Sequence, residues 1–155
     1  MRVFRIEREK YLAETLNGTG ASLTSGFRWN SIGTRMVYTS ESRALAVLEV
    51  NVHLDFAEDL PSDRFIVEIE IPDEVETLTL DPESLPGNWD SFPPPVETCL
   101  IGDEFVSSKA AAVLKVPSCI VQQEFNFLIN PNHPDAGKIK VISTSPFRFD
   151  SRLKK

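Results

Sequence analysis

GFRWNSIGTRMVYTSESRALAVLEVNVH, residues 26–53, is the stretch whose reading decides the fold. It opens with a turn carrying Arg28-Trp29-Asn30, continues as a short strand over 35–39, and ends in an amphipathic helix over 41–53. Ser40 reads as the N-cap of that helix, and Glu41 follows where the helix dipole favours a negative charge. Ala44, Leu45, Val47, Leu48 and Val52 recur at helical spacing, which predicts one face docked on a sheet. Glu49 stands among these apolar residues, and His53, four residues on, shares its face. A carboxylate in such a place costs several kcal/mol unless it is paired or used. It either reaches out to water or performs chemistry.

Working outward, residues 2–7 alternate apolar and charged side chains as a strand does, and 9–15 read as a short helix ended by Asn17-Gly18. Gly18, Gly20 and Gly26 make the following loop the most flexible part of the chain, and such a loop before an Arg can bring N–H groups to a phosphate. Downstream, Phe65, Val67, Ile69 and Ile71 alternate with Ile66, Glu68 and Glu70, a strand stopped by Pro72-Asp73. Residues 75–80 read as the partner of that strand. The prolines from 82 to 95 predict an extended connector, and 99–110 a helix with Leu100, Ile101, Phe105 and Val106 on its apolar side. Short strands are expected at 111–116, 120–123, 125–129 and 138–143. The fold class is therefore α+β, strand-rich, with non-sequential strands closing a twisted sheet and helices flanking it.

At 155 residues with 41% hydrophobic content, the chain reads as one domain, 1–155, that closes its core without disulfides or metal, with a tail that frays from Ser151. No apolar run reaches the length of a signal core or membrane span, which predicts a cytoplasmic protein without a membrane partner. Cys99 and Cys119 lie far apart and read as buried free thiols. The formal net charge of −7 argues against direct DNA binding. Its distribution is uneven: 55–104 holds 15 acidic residues against Arg64 alone, whereas 26–43 holds three arginines and one acid. An acidic protein that keeps a small basic island can hold an anionic ligand there.

Several residues are candidates for chemistry. Arg28, between Phe27 and Trp29, offers a planar guanidinium that grips phosphate or pairs with a structural carboxylate. Tyr38 ends its strand beside the helix start, as a core wall or a stacking platform. Ser118 lacks a G-x-S-x-G elbow, which argues against a hydrolase nucleophile. His53 and His133 are the only histidines, and no His, Cys and carboxylate cluster has metal-ligand spacing.

Together the motifs FRI (4–6), RWN-x-x-G (28–33), VYTSES-x-ALA-x-LE (37–49), VEIEIPD (67–73), Trp89, Gly102-Asp103, VLKVPS (113–118), N-x-L-x-NP-x-HPD (126–135) and PFRFDSRL (146–153) resemble the RES domain. That domain is the toxin half of bacterial toxin–antitoxin pairs. The resemblance implies an ADP-ribosyltransferase-like, split β-sheet core and cleavage of NAD at the nicotinamide–ribose bond. NAD is then the substrate, with no metal and no resident cofactor. It implies that Glu49 stabilises the oxocarbenium-like ribose, Arg28 binds the pyrophosphate, Tyr38 packs the nicotinamide or its ribose, and Ser118 orients Glu49 or the nicotinamide amide. Arg5, His53 and Asn126 are implied as supporting NAD contacts. It further implies a helix-turn-helix, Xre-like antitoxin as partner, with a homodimer inside the complex as one assembly.

The acceptor of the ADP-ribosyl group separates three activities: water gives an NAD glycohydrolase, phosphate a phosphorylase, and a side chain a protein ADP-ribosyltransferase. Transferases of this fold often carry Glu or Gln two residues before the catalytic Glu; here that residue is Val47, which favours water or phosphate. A catalytically weak module that mainly binds its antitoxin is the alternative from another class. The chain departs from the family at Phe27, where a second Gly is usual, at Gly20-Ala21-Ser22, in place of Gly-Ala-Arg, and at Glu104-Phe105, after the Gly-Asp pair.

Overall fold

The computed structural model describes residues 1–54 and 60–153. Seven strands form one sheet: β1 (Arg2–Arg8), β2 (Val37–Ser40), β3 (Arg64–Glu70), β4 (Thr77–Thr79), β5 (Val113–Pro117), β6 (Phe125–Ile129) and β7 (Lys140–Phe147). Their order is β4-β5-β6-β2-β1-β3-β7, with β4 and β5 parallel and every other pair antiparallel. Among the described residues there are three α-helices, α1 (Thr19–Leu23), α2 (Arg43–Asn51) and α3 (Val96–Ser108), with short 3-10 helices between the strands. This is the expected α+β architecture. Among the described residues, no helix is long and apolar enough to cross a membrane.

The sheet is split at its middle. Strand β1 pairs with β3 along its whole length, from Arg2 opposite Glu70 to Arg8 opposite Arg64, yet it meets β2 at one position only, Phe4 opposite Ser40. Strand β2 in turn pairs fully with β6. Two half-sheets, β3-β1 with β7 and β2-β6-β5 with β4, therefore share a single seam.

Because side chains alternate across a strand, each face of the sheet collects its own residues. One face holds Val3, Val37, Val67, Ile69, Phe127 and Ile129, all buried. The other face is covered by the helices: Phe4 and Ile6 pack with Ala46 of α2, while Leu114, Val116 and Leu128 pack with Phe105 and Val106 of α3. Each fully buried aliphatic side chain contributes about 1.5–3 kcal/mol, so both faces are needed to hold the half-sheets together.

Several expectations need correction. Helix α2 begins two residues later than the sequence suggests, because Ser42, not Ser40, accepts the Leu45 N–H at 3.1 Å. Glu41 instead accepts the Phe125 N–H at 3.1 Å, and Ser40 remains in β2. The helix stops at Asn51, short of His53. In the glycine loop, Gly18, at φ +69°, lies against the Met36 backbone and opens helix α1. The short helix expected over 9–15 is present as a 3-10 helix, Glu9–Glu14. Strand β4 does not pair with β3 but lies parallel to β5 at the opposite edge, since its residues find an open edge there and β3 is already flanked by β1 and β7.

Residues 120–123 form a turn between β5 and β6 instead of a strand. In α3 the buried side is Thr98, Gly102, Phe105 and Val106, and Leu100 is exposed. Both cysteines are free and half-buried. Arg43 of the expected basic island is taken up by Glu68 at 2.9 Å. Of the acidic stretch, Asp55, Glu58 and Asp59 lie outside the described residues. In the tail, Ser151 to Leu153 form an exposed turn bound to Asp150, and Lys154 and Lys155 lie outside the described residues.

Candidate active site

The helical face of the sheet brings Glu49, Ser118, Asn126 and Ser40 together at the seam. Glu49 projects from the last turn of α2 and is half-buried. Its Oε1 accepts two bonds, from the Ser118 hydroxyl at 2.7 Å and from the Asn126 Nδ2 at 2.6 Å. Among the described residues, no hydrogen bond reaches Oε2. The carboxylate is thus fixed through one oxygen and presents the other.

Ser118 owes its position to the end of β5. It is fully buried, and its Oγ accepts the N–H groups of Ile120 and Val121, each at 3.1 Å, from the turn that follows. With two donors on its lone pairs, its own proton is directed at Glu49. Asn126 lies directly across from Ser40 in the β2–β6 pair, and its Oδ1 accepts the Ser40 hydroxyl at 2.7 Å.

Tyr38 lies two residues before Ser40 on the same strand and face, roughly 7 Å away by strand geometry. Its hydroxyl donates to Asn30 Oδ1 at 2.7 Å and accepts the Trp29 N–H at 3.1 Å. Asn30 is buried and also donates from Nδ2 to the carbonyls of Ala21, Ser31 and Thr34. This network gives the Arg28-Trp29-Asn30 turn its shape. Phe27 packs its ring 5.3 Å from that of Tyr38. Cys99 donates its thiol to the Phe27 carbonyl at 3.2 Å, and burial pushes its pKa up.

Burial pushes the Tyr38 hydroxyl well above its ordinary value near 10, with the Trp29 N–H bond opposing the shift. A raised folded value means that this contribution to stability is complete below about pH 10 and is lost as pH climbs toward the folded value. Tyr38→Phe is expected to cost about 1–3 kcal/mol at neutral pH, because Asn30 Oδ1 and the Trp29 N–H lose their partner. The wild type should also lose stability relative to this variant above about pH 10. Urea melts of both proteins on either side of that pH check the two effects.

Arg28 is half-buried and donates to the backbone carbonyls of Trp89 and Ser91. It forms no ion pair among the described residues, so its positive charge is not matched by a carboxylate at salt-bridge distance. Two carbonyls orient the guanidinium and leave the charge available to an anion. It sits close enough to Tyr38 to act on that hydroxyl electrostatically, as does Asp103, whose carboxylate accepts the Ser31 N–H at 2.9 Å.

Two residues expected at the site lie elsewhere. Phe4 shares the face of Ser40, so Arg5, next along β1, points to the opposite face. There its guanidinium donates to the Thr15 carbonyl at 3.1 Å and pairs with Glu7 at 3.0 Å, and burial lowers its pKa while Glu7 opposes the shift. His53 lies exposed beyond the end of α2, whose last turn no longer carries the helical spacing that would align it with Glu49. Asn126 is at the site, but in this structure it is bound to Glu49. Ser40 also joins the site, although its sequence context is that of a helix cap. The period-two relation to Tyr38 is the signal that places it on the right face. Among the described residues, no cluster of three or more His, Cys, Asp or Glu side chains is arranged to hold a metal ion.

The chain matches the RES domain over residues 2–150. It belongs to the RES domain family. It is 44% identical over 145 residues to the "Prs ADP-ribosylating toxin" of Sphingobium sp. (strain YBL2), covering 92% of this chain and 89% of that protein. It is 39% identical over 155 residues to the "Toxin Res" of Yersinia enterocolitica, covering 99% and 100%. Among solved structures it resembles the Mycobacterium tuberculosis MbcT–MbcA toxin–antitoxin complex, with a TM-score of 0.67 at 17% identity over 94% of this chain and 83% of that one. The fold is shared at that identity. The resemblance to RES-domain toxins drawn from the sequence motifs holds, and with it the split-sheet fold.

Proposed function

We propose that this RES-domain toxin acts in the cytoplasm by cleaving NAD at the nicotinamide–ribose bond. The observation that carries the reading is the Glu49 carboxylate, held through Oε1 by Ser118 and Asn126, with no hydrogen bond to Oε2 among the described residues. Rupture of the C1′–N bond sends its electron pair to nicotinamide, which leaves as a neutral ring. The ribose is left with oxocarbenium character, and a fixed carboxylate beside it stabilises that charge. No general acid is needed for a leaving group that departs neutral. Arg28 attracts the pyrophosphate, and Tyr38 with Phe27 forms an aromatic wall for the nicotinamide side. Arg5 and His53 have no part in this scheme.

Water adding at C1′ gives ADP-ribose and releases a proton, and phosphate adding there gives the 1-phosphate ester. Val47, apolar two residues before Glu49, favours these small acceptors. Transfer to a protein is the second reading, and the Sphingobium relative's name as an ADP-ribosylating toxin supports it. Pairing with an antitoxin is supported by the toxin names of the relatives and by the complex that shares the fold. A helix-turn-helix partner with a basic surface would complement the acidic stretch between Asp55 and Glu104.

The test is incubation of purified protein with NAD, followed by proton NMR with and without phosphate. Release of nicotinamide is expected, with ADP-ribose or its 1-phosphate naming the acceptor. NAD that stays intact until a protein fraction is added would move the assignment to the transferase. NAD intact under all conditions would reject cleavage and leave a binding module.

A further inference from the structure

The Glu49 site is assembled from both halves of the split sheet, and Ser40 lies where their strands meet. Helix α2, which carries Glu49, is anchored on β1 through Phe4, Ile6 and Ala46. The donors that hold the carboxylate, Ser118 and Asn126, come from the end of β5 and from β6 in the other half. Strands β1 and β2 meet only where Phe4 faces Ser40, and Ser40 faces Asn126 on its other side. Ser40 therefore occupies the seam itself. It is 4% exposed, and its hydroxyl donates to Asn126 Oδ1 at 2.7 Å.

An ionised carboxylate only accepts, so Glu49 takes the Nδ2 end of the Asn126 amide, and Ser40 pins the opposite end by donating to Oδ1. With Oδ1 held by Ser40, Nδ2 points at Glu49 Oε1. With the amide turned over, Oδ1 would face the carboxylate oxygen and repel it. An amide without the Ser40 donor keeps one strong bond but loses the second point that fixes its plane.

We propose that Ser40 is a positioning residue for the NAD-cleaving reaction: it locks the Asn126 amide across the sheet seam, and through that amide it holds Glu49 Oε2 in line with the ribose. The proposal rests on the reading of Glu49 as the group that faces the ribose. Ser40 touches no substrate, so its effect belongs in kcat and vanishes when Asn126 is absent.

A double-mutant cycle in the whole protein tests this. Ser40→Ala is expected to lower kcat about tenfold, the worth of one buried hydrogen bond, with KM within about twofold. Asn126→Ala is expected to lower kcat about thirtyfold, since it removes a donor to a charged acceptor. In the Asn126→Ala background, Ser40→Ala should change kcat by less than about twofold. Losses that multiply across the pair, or a Ser40→Ala enzyme with unaltered kcat, overturn the proposal. A second measurement needs no turnover. The side-chain amide of Asn126 in a 15N–1H spectrum should show two well-separated proton signals in the wild type, and Ser40→Ala should draw them together. An unchanged pair overturns the locking of the amide whether or not NAD is cleaved. If the separation shrinks while wild-type protein leaves NAD intact, the reaction assignment fails and the seam contact stands as structural, which also overturns Ser40's role in catalysis.

Discussion

Glu49→Gln is expected to lower NAD turnover by about a thousandfold while the protein stays folded. Glutamine has the same shape, and its Oε1 still accepts from Ser118 and Asn126, so the contacts that seat the side chain survive. What changes is the free end. An amide N–H₂ takes the place of Oε2 and brings no negative charge to the developing positive ribose. A thousandfold loss corresponds to about 4 kcal/mol of transition-state stabilisation, in the range of a preorganised electrostatic group in a shielded site. Chromatography of remaining NAD, alongside circular dichroism and a thermal melt, measures both parts. Turnover within tenfold of wild type would mean that the carboxylate is structural and that another group meets the ribose.

Gly102→Ala is expected to cost about 3 kcal/mol and to lower the melting temperature by about 10 °C. A Cβ at Gly102 would stand 1.6 Å from the Trp29 carbonyl oxygen and 2.6 Å from its carbon. Those are backbone atoms, and they cannot turn aside as a side-chain tip would. Either α3 lifts from the sheet or the Arg28-Trp29-Asn30 turn moves. The second outcome would disturb the Tyr38 network, because the Trp29 N–H and Asn30 Oδ1 are its partners. Activity should therefore fall together with stability. Gly20→Ala is the control, since nothing lies within 4 Å of an added Cβ there. A Gly102→Ala protein that melts within about 2 °C of wild type would show that the close approach relaxes at little cost.

The half-sheet built from β1 and β3 was legible because its residues announce period two. Val67, Ile69 and Ile71 go inward, and the charged Glu68 and Glu70 alternate with them. Helix α2 was legible for the same reason at period 3.6, and only its ends slipped. Its start moved because Ser40 and Ser42 are both good caps, and the pairing of Ser40 with Phe4 and Asn126 keeps Ser40 in the strand. Strand β4 was placed in the wrong pair because its three residues carry no mark of their partner. Which edge such a short segment joins depends on which edge is open, and that is settled by strands far away in the chain.

The sequence by itself determined the α+β class, the strand and helix that carry Tyr38 and Glu49, and the motifs that identify the family. Those features arise from local periodicity and from residue types, which neighbours along the chain express directly. The family motifs implied that Ser118 orients Glu49, and only the tertiary structure added Asn126 as its second partner. Ser118 and Asn126 lie 69 and 77 residues away from it, and the bonds between them exist only once β5 and β6 have found their register. The same registration carried Arg5 to the far face and Ser40 to the seam, since a shift of one residue in a strand reverses the side on which every side chain stands.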